Sequence, residues 1–430
     1  MKRFSHSLFA LTLLLFSCKS GPFNLIKPVS PHHAYERKLI AAGLDQTMMG
    51  TAWITKAQQS LQGALPIDLP YQERGYFAAE KIEAAVFSFT LQRGQKLNIN
   101  LQRKPANRFK VYVDLLLLTD NNTPSLVASA DTLGNGLEVA IDKTGKYAIR
   151  LQPELLSSGE FTLSLTTGPS LNFPLKAGKA SQIQSIFGDG RDGNTRKHEG
   201  IDIFAPFRTP VIAVGAGRVT AVNENNLGGK VVWFRPEGKD YTLYYAHLDE
   251  QLVSSGQVVN YGDTLGRMGN TGNAKTTAPH LHFGIYTGNG AIDPFPFVNP
   301  IVTVAPPILT STTTLNSSMR TLANVQFNTN KEVLKSGAIV RVTAASANRY
   351  RVELPDGQIG YILGKQLAST VKPLRSIKLN IHQLDVFEQP DSLSAVKLKL
   401  KKGDNVAVLG NFGEFQLVEH EKDLAGWIKK

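Results

Sequence analysis

Four of the nine histidines of this 430-residue chain fall in three short stretches whose neighbours give them chemical meaning. The stretches are His198-Glu199-Gly200-Ile201-Asp202, Tyr244-Tyr245-Ala246-His247-Leu248 and Pro279-His280-Leu281-His282-Phe283. His280 and His282 stand two apart in an apolar run, and in a strand such positions share a face. Two imidazoles would then lie side by side, with Leu281 and Phe283 turned to a core. His198 and Asp202 are four apart, but Gly200 and the Ile-Asp-Ile-Phe-Ala-Pro that follows argue against a helix. A strand entered from a loop would present both groups to one site. Imidazole nitrogen and carboxylate oxygen are good zinc ligands, and three protein ligands with a fourth position left to water make a catalytic zinc site. Any one of these histidines alone would read as structural; the joint pattern does not.

The pattern resembles the LytM or lysostaphin-type metallopeptidases, the M23 family, whose motif is His-x-x-x-Asp, a central His, then His-x-His. The text around it agrees: Gly215-Ala216-Gly217-Arg218-Val219, Gly262-Asp263-Thr264-Leu265-Gly266 and the Gly269-Asn270-Thr271-Gly272 loop before the last motif. The resemblance spans residues 180–300. It implies that His198, Asp202 and His282 bind one zinc ion per chain, and that His247 and His280 form a catalytic pair beside it, their roles undivided. It also implies a zinc metalloendopeptidase hydrolysing peptide bonds of peptidoglycan, in stem peptides or cross-links. Zinc lowers the pKa of water to ~7, and a nearby histidine, with an ordinary pKa of ~6.5, can take the proton. Some relatives carry a Tyr shortly before the first ligand. Residues 188–197 contain none, leaving Arg191 and Arg196 as the notable side chains there. Glu199 would be a general base in a His-Glu-x-x-His zincin, but Asp202 stands where that motif needs its second His. The alternative function is a non-catalytic relative that regulates other wall hydrolases or only binds peptidoglycan. Such relatives have lost ligands, whereas all five positions are present here.

The elements that must carry these residues read as mainly β and multidomain. At roughly 100–200 residues per domain, the length allows two to four domains. Residues 18–74 read as a linker and small helical region, with His32 and His33 taken as solvated or capping residues. Residues 75–168 alternate with period two, as in Val86–Leu91, Lys96–Leu101, Val111–Leu118, Tyr147–Leu151 and Phe161–Leu165, which predicts a β-sandwich. Its Gly145–Leu151 stretch resembles small sandwich domains attached to secreted bacterial peptidases. Residues 180–300 are expected to form an antiparallel β-sheet peptidase domain, and the Pro, Thr and Ser-rich residues 301–320 a linker. An internal repeat follows: Leu334, Gly337, Val340, Val342, Val352, Gly360, Tyr361 and Ile362 match Leu400, Gly403, Val406, Val408, Val418, Gly426, Trp427 and Ile428 at one offset. These copies, 321–370 and 375–430, resemble bacterial SH3-like β-barrels, modules that often bind cell walls beside a lytic domain.

The N-terminus points to export. Lys2 and Arg3 precede the apolar run Leu8–Phe16, too short for a membrane span of ~20 residues. Leu15-Phe16-Ser17-Cys18 resembles a lipobox, with residues 1–17 as the signal and Cys18, the single cysteine of the chain, as the acylated residue. That resemblance implies anchoring to a lipid bilayer of the bacterial envelope, periplasm-facing or outer-membrane. The formal charge of +12 suits anionic partners such as wall polymers. A basic-aromatic signature for nucleic acid is missing from the sequence.

Overall fold

Alternating apolar and polar residues make strands the dominant regular element, seen in a computed structural model that describes residues 29–119, 123–130, 136–191, 193–327, 332–421 and 424–430. The expected signal segment and Cys18 lie outside the described residues. Among the described residues no helix is long and apolar enough to cross a membrane.

Two helices open the described chain. Pro31–Ala41 starts at Ser30, whose side chain accepts from the His33 backbone N–H, with proline at the first helical position. Met48–Gln62 is capped in the same way by Thr47 on Gly50. The second helix docks through Trp53, whose indole N–H donates to the Pro153 carbonyl at 2.8 Å. The expectation for His32 is corrected. It is 3% exposed, stacks on Trp53 with ring centroids 4.7 Å apart and lies 2.7 Å from Gln152 Oε1. An imidazole sandwiched between an indole and a sheet excludes water and must find protein partners instead. His33 remains exposed.

The sandwich follows. One sheet runs in the order Leu65–Pro66, Ala85–Leu91, Gly145–Pro153, Val111–Leu118, Ser125–Ala130, and the other contains Tyr71–Phe77, Gly159–Pro169, Gln95–Lys104, Leu137–Ala140. Their inner faces pack Phe87, Leu115, Ile149, Leu163 and Leu165 into one core.

The second sheet does not end there. Tyr71–Phe77 also pairs with Ile339–Ser346 of the first repeat copy, Gly75 opposite Ala344. A fully buried ion pair locks this junction: Arg351 donates to both carboxylate oxygens of Glu73, at 3.1 and 3.2 Å. Tyr71 donates to the same carboxylate at 2.7 Å and lies 2.8 Å from the Tyr361 hydroxyl. Removing either charge would strand the other in a dry core, a loss of ~3–5 kcal/mol. The repeat itself is visible in the backbone. The meander Ile339–Ser346, Arg349–Glu353, Ile359–Leu363 recurs as Asn405–Phe412, Phe415–Glu419, Ala425–Lys429 at the same interval. Gly337 and Gly403 hold the same place before it, both at positive φ where a side chain would be strained. The copies differ in setting: the first continues the sandwich sheet, and the second closes around its own small core of Val386, Leu400, Val406, Val408, Val418 and Ile428.

In chain order, between sandwich and repeats, comes the sheet that holds the candidate site. Its strands lie in the order Ile201–Phe204, His280–Thr287, Thr242–Gln251, Gly229–Pro236, Gly217–Asn225, with antiparallel neighbours. One face buries Ile201, Ile203, Leu281, Phe283, Leu243, Tyr245, Val232 and Phe234 in a single core. The strands are held rigidly from behind, and their other face is free to carry polar groups.

Candidate metal and catalytic site

The alternation expected for His280 and His282 holds: Leu281 and Phe283 are in the core, and both imidazoles lie on the opposite face. Register does the rest. Asp202 stands directly opposite His282, and Phe204 opposite His280 with the rings stacked 4.9 Å apart. His198 enters from the loop just before the Asp202 strand, held by its N–H to the Asp189 carbonyl at 2.8 Å.

Three ligand atoms converge. His198 Nε2, Asp202 Oδ1 and His282 Nδ1 form a near-equilateral triangle with sides of 3.0, 3.0 and 3.1 Å. The His198 tautomer favours metal binding here. His198 Nδ1 sits 2.8 Å from the Ile186 carbonyl, which can only accept, so Nδ1 carries the proton and Nε2 turns a lone pair to the triangle. Two imidazole nitrogens and a carboxylate oxygen at such separations suit three corners of a small tetrahedral cation, zinc above all. Gly200 makes room for this: a Cβ there would come within 2.8 Å of His282 Nε2 and 2.6 Å of the Phe283 carbonyl. Burial opposes the charge on Asp202, but hydrogen bonds and charge from His198 and His282 outweigh it and hold the carboxyl well below the usual carboxylate range.

The outer oxygen of Asp202 is also occupied. Arg191 donates to Oδ2 at 2.9 Å and to Ser185 Oγ at 2.5 Å, and Ser185 Oγ lies 3.3 Å from His198 Nδ1. Arg191 thus orients a carboxylate on which the metal site depends, a role its sequence position only hinted at. Arg196 lines the same cavity.

His247 arrives by a less regular route. Thr242, Tyr244 and Ala246 point to the open face, so strict alternation would send His247 to the core with Tyr245. The pairing shifts instead: Val232 opposes Tyr245 while Lys230 opposes Leu248. This bulge, with His247 at φ +62°, turns the ring to the site. Its ring lies 4.9 Å from that of His280 and 5.9 Å from that of His282. His247 Nδ1 donates to the Thr271 carbonyl at 2.9 Å and His280 Nδ1 to the Ala278 carbonyl at 2.8 Å, so Nε2 is the basic nitrogen on both rings. Burial, then the charges of His280 and His282, push the His247 imidazole down to about 4, keeping it neutral at ordinary pH.

All five side chains line one cavity of about 690 Å³. Its wall continues along the sheet as three rings: Tyr244, 6.0 Å from His282, then Trp233, 4.4 Å from Tyr244, with Tyr286 5.5 Å from Trp233. Glu199, at the rim, accepts from the Tyr286 hydroxyl at 3.1 Å and is tied to that aromatic wall. The aromatic wall has no counterpart in the sequence reading; Trp233 and Tyr244 occupy outward positions of the strands Gly229–Pro236 and Thr242–Gln251.

Residues 196–294 match Peptidase family M23. Among curated relatives, the L-Ala--D-Glu endopeptidase of Bacillus subtilis (strain 168) is 35% identical over 136 residues, 29% of this chain and 41% of that one. Peptidoglycan DD-endopeptidase ShyC of Vibrio cholerae is 38% identical over 91 residues, 21% of this chain and 20% of that one. The similarity thus spans less than half the length of either relative. The solved catalytic domain of the antimicrobial peptidase lysostaphin from Staphylococcus simulans is 29% identical, covering 27% of this chain and 93% of that one, with a TM-score of 0.25.

Proposed function

We propose that this chain, which carries a domain of peptidase family M23, is a zinc metalloendopeptidase that hydrolyses peptide bonds of peptidoglycan. The observation that carries this reading is the triangle of His198, Asp202 and His282 with two further imidazoles, His247 and His280, on the same cavity wall. Two of the relatives above are named for endopeptidase activity, one of them on peptidoglycan. A regulator without catalysis would have no need of all five groups.

His198, Asp202 and His282 would hold the ion. Bound there, zinc supplies a Lewis acid for the scissile carbonyl and acidifies the attacking water. The protein does the remaining work. Arg191 fixes the Asp202 carboxylate, and the Ile186 carbonyl fixes the His198 tautomer. His247, kept neutral by burial, and His280, each with Nε2 turned to the cavity, provide one acceptor for the water proton and one hydrogen-bond donor, once protonated, to the oxyanion or leaving nitrogen. The aromatic wall excludes water from one side of the cavity and positions the chain being cut.

Incubation of the zinc-loaded protein with purified peptidoglycan, followed by mass analysis of released muropeptides, tests the reading and identifies the bond. New amino and carboxyl ends at one peptide position are expected. Intact muropeptides after prolonged incubation would overturn catalysis and favour the regulator.

Envelope anchoring through Cys18 belongs to the same proposal and rests on the sequence of residues 2–18. Cys18→Ala should abolish fatty-acid labelling and release the protein from membranes. Wall binding by the SH3-like copies is best tested by removing 371–430 alone. A cut at 321 would also remove the Ile339–Ser346 strand and leave Glu73 without Arg351.

A further inference from the structure

The open face of the peptidase sheet continues past the metal site. Gly284, Tyr244, Trp233 and Ala221 stand opposite one another across four strands. With strands ~4.8 Å apart, this row leads about 10 Å from the His282 strand to the Trp233 strand. Beyond lies a second groove of about 490 Å³ that shares Trp233 and Tyr286 with the catalytic cavity. Polar side chains of Thr220, Arg235, Asp240 and Thr242 also line it, beside Ala221. Arg235 donates to the Thr242 hydroxyl at 3.4 Å. At the far end Asp240 pairs with Arg93 of the sandwich at 3.2 Å, so the groove runs from the aromatic wall to the domain interface.

We propose that this groove is a second substrate subsite, which holds a sugar ring of the glycan attached to the peptide being cut. The inference rests on the peptidoglycan reading above and adds the glycan to it. Three observations favour a sugar over a further stretch of peptide. An extended peptide is held chiefly through backbone bonds to a free strand edge, but Gly229–Pro236 and Thr242–Gln251, which floor the groove, are each paired on both sides. Over these two floor strands recognition must come from side chains. The side chains are an indole and a phenol with hydroxyl, carboxylate and guanidinium groups beside them. That set matches a pyranose, whose C–H face packs on an aromatic ring while its hydroxyl and acetamido groups seek donors and acceptors at the periphery. The groove is also continuous with the catalytic cavity, sharing a wall with it, as a covalently continuous substrate requires.

Two measurements on the zinc-loaded full chain test this. The chain has three tryptophans; Trp53 and Trp427 are 1% and 7% exposed, so a change in intrinsic fluorescence on adding N-acetylglucosamine tetramer reports Trp233. Saturable quenching is expected, and its absence in Trp233→Phe confirms the assignment. No change in the wild type, or the same change in Trp233→Phe, overturns it. In the second measurement, a stem peptide is compared with the same peptide carrying its disaccharide. The sugar-bearing form should show kcat/KM about tenfold higher, equivalent to ~1.4 kcal/mol. Thr220→Trp, which fills the groove, and Arg235→Ala should each bring that ratio toward one. Equal rates in the wild type, or a ratio untouched by both variants, overturns the subsite. Cleavage of neither peptide would instead overturn the peptidase reading, and the fluorescence titration would still decide the groove.

Discussion

The molecule buries histidine in two places and treats it in opposite ways. In the N-terminal region His32 is stacked on Trp53, with Nε2 at 2.7 Å from Gln152 and Nδ1 at 3.2 Å from Arg150. Both ring nitrogens are consumed by neighbours whose own positions are fixed by the sheet. In the peptidase domain His198, His247 and His280 each give Nδ1 to a backbone carbonyl and keep Nε2 for the cavity. His282 instead turns Nδ1 into the triangle. Burial makes one member of each set hard to protonate, as His32 and His247 are each pushed down to about 4. A lowered pKa therefore does not mark function. What separates the sites is whether a nitrogen is left over and several such nitrogens converge.

The most severe way to test that distinction is to remove a member of the triangle. His198→Ala, Asp202→Ala or His282→Ala should take zinc, measured by elemental analysis, from about one per chain to near zero, with hydrolysis falling to background. Full zinc in all three variants would sink the ligand assignment. His247→Ala and His280→Ala should keep zinc and lose ~10²–10⁴-fold in kcat/KM; near wild-type rates in both would leave the pair without a role. Arg191→Gln should be milder still. It frees the outer oxygen of Asp202 without deleting a ligand, so zinc affinity by competitive titration should drop ~10–100-fold. An unchanged affinity would show that the triangle holds itself in place.

Much of this is legible in the sequence, and the reasons differ by residue. His280 and His282 were legible because strand periodicity is two and Leu281 and Phe283 declare the core face. His247 was legible only through its motif, since alternation alone aims it at the core and a bulge reverses it. Arg191 and Trp233 act through register, which no local pattern encodes. The strand Tyr71–Phe77 was missed for a related reason: its inward positions are Tyr71, Glu73, Gly75 and Phe77, so a charge and a glycine interrupt the apolar rhythm. Glu73 is tolerated because Arg351 reaches it from the first repeat copy, far along the chain. His32 reads as solvated for the same reason, since its partners Gln152 and Arg150 lie in another domain.

An effect confined to acid pH, and the sharpest test of the contrast, is expected at His32. Its folded-state pKa is about 4, lowered first by burial and then by the Arg150 charge, against ~6.5 in an unfolded chain. Between those values the unfolded state binds the proton and the folded state does not, so stability rises with pH across the window. His32 therefore leaves the fold unperturbed above pH ~6.5 and weakens it as pH falls toward 4, by up to ~3 kcal/mol. His32→Gln keeps a neutral polar side chain beside Gln152 and cannot titrate. Chemical denaturation at pH 7 and pH 4.5 should show a smaller acid loss in this variant than in the wild type, although Asp114 and Arg150 are common to both. Zinc content and kcat at pH 7 should be the same in the two proteins. A variant that loses zinc or activity would mean that the helical region reaches the catalytic domain after all, and the two histidine centres would then have to be treated as one system.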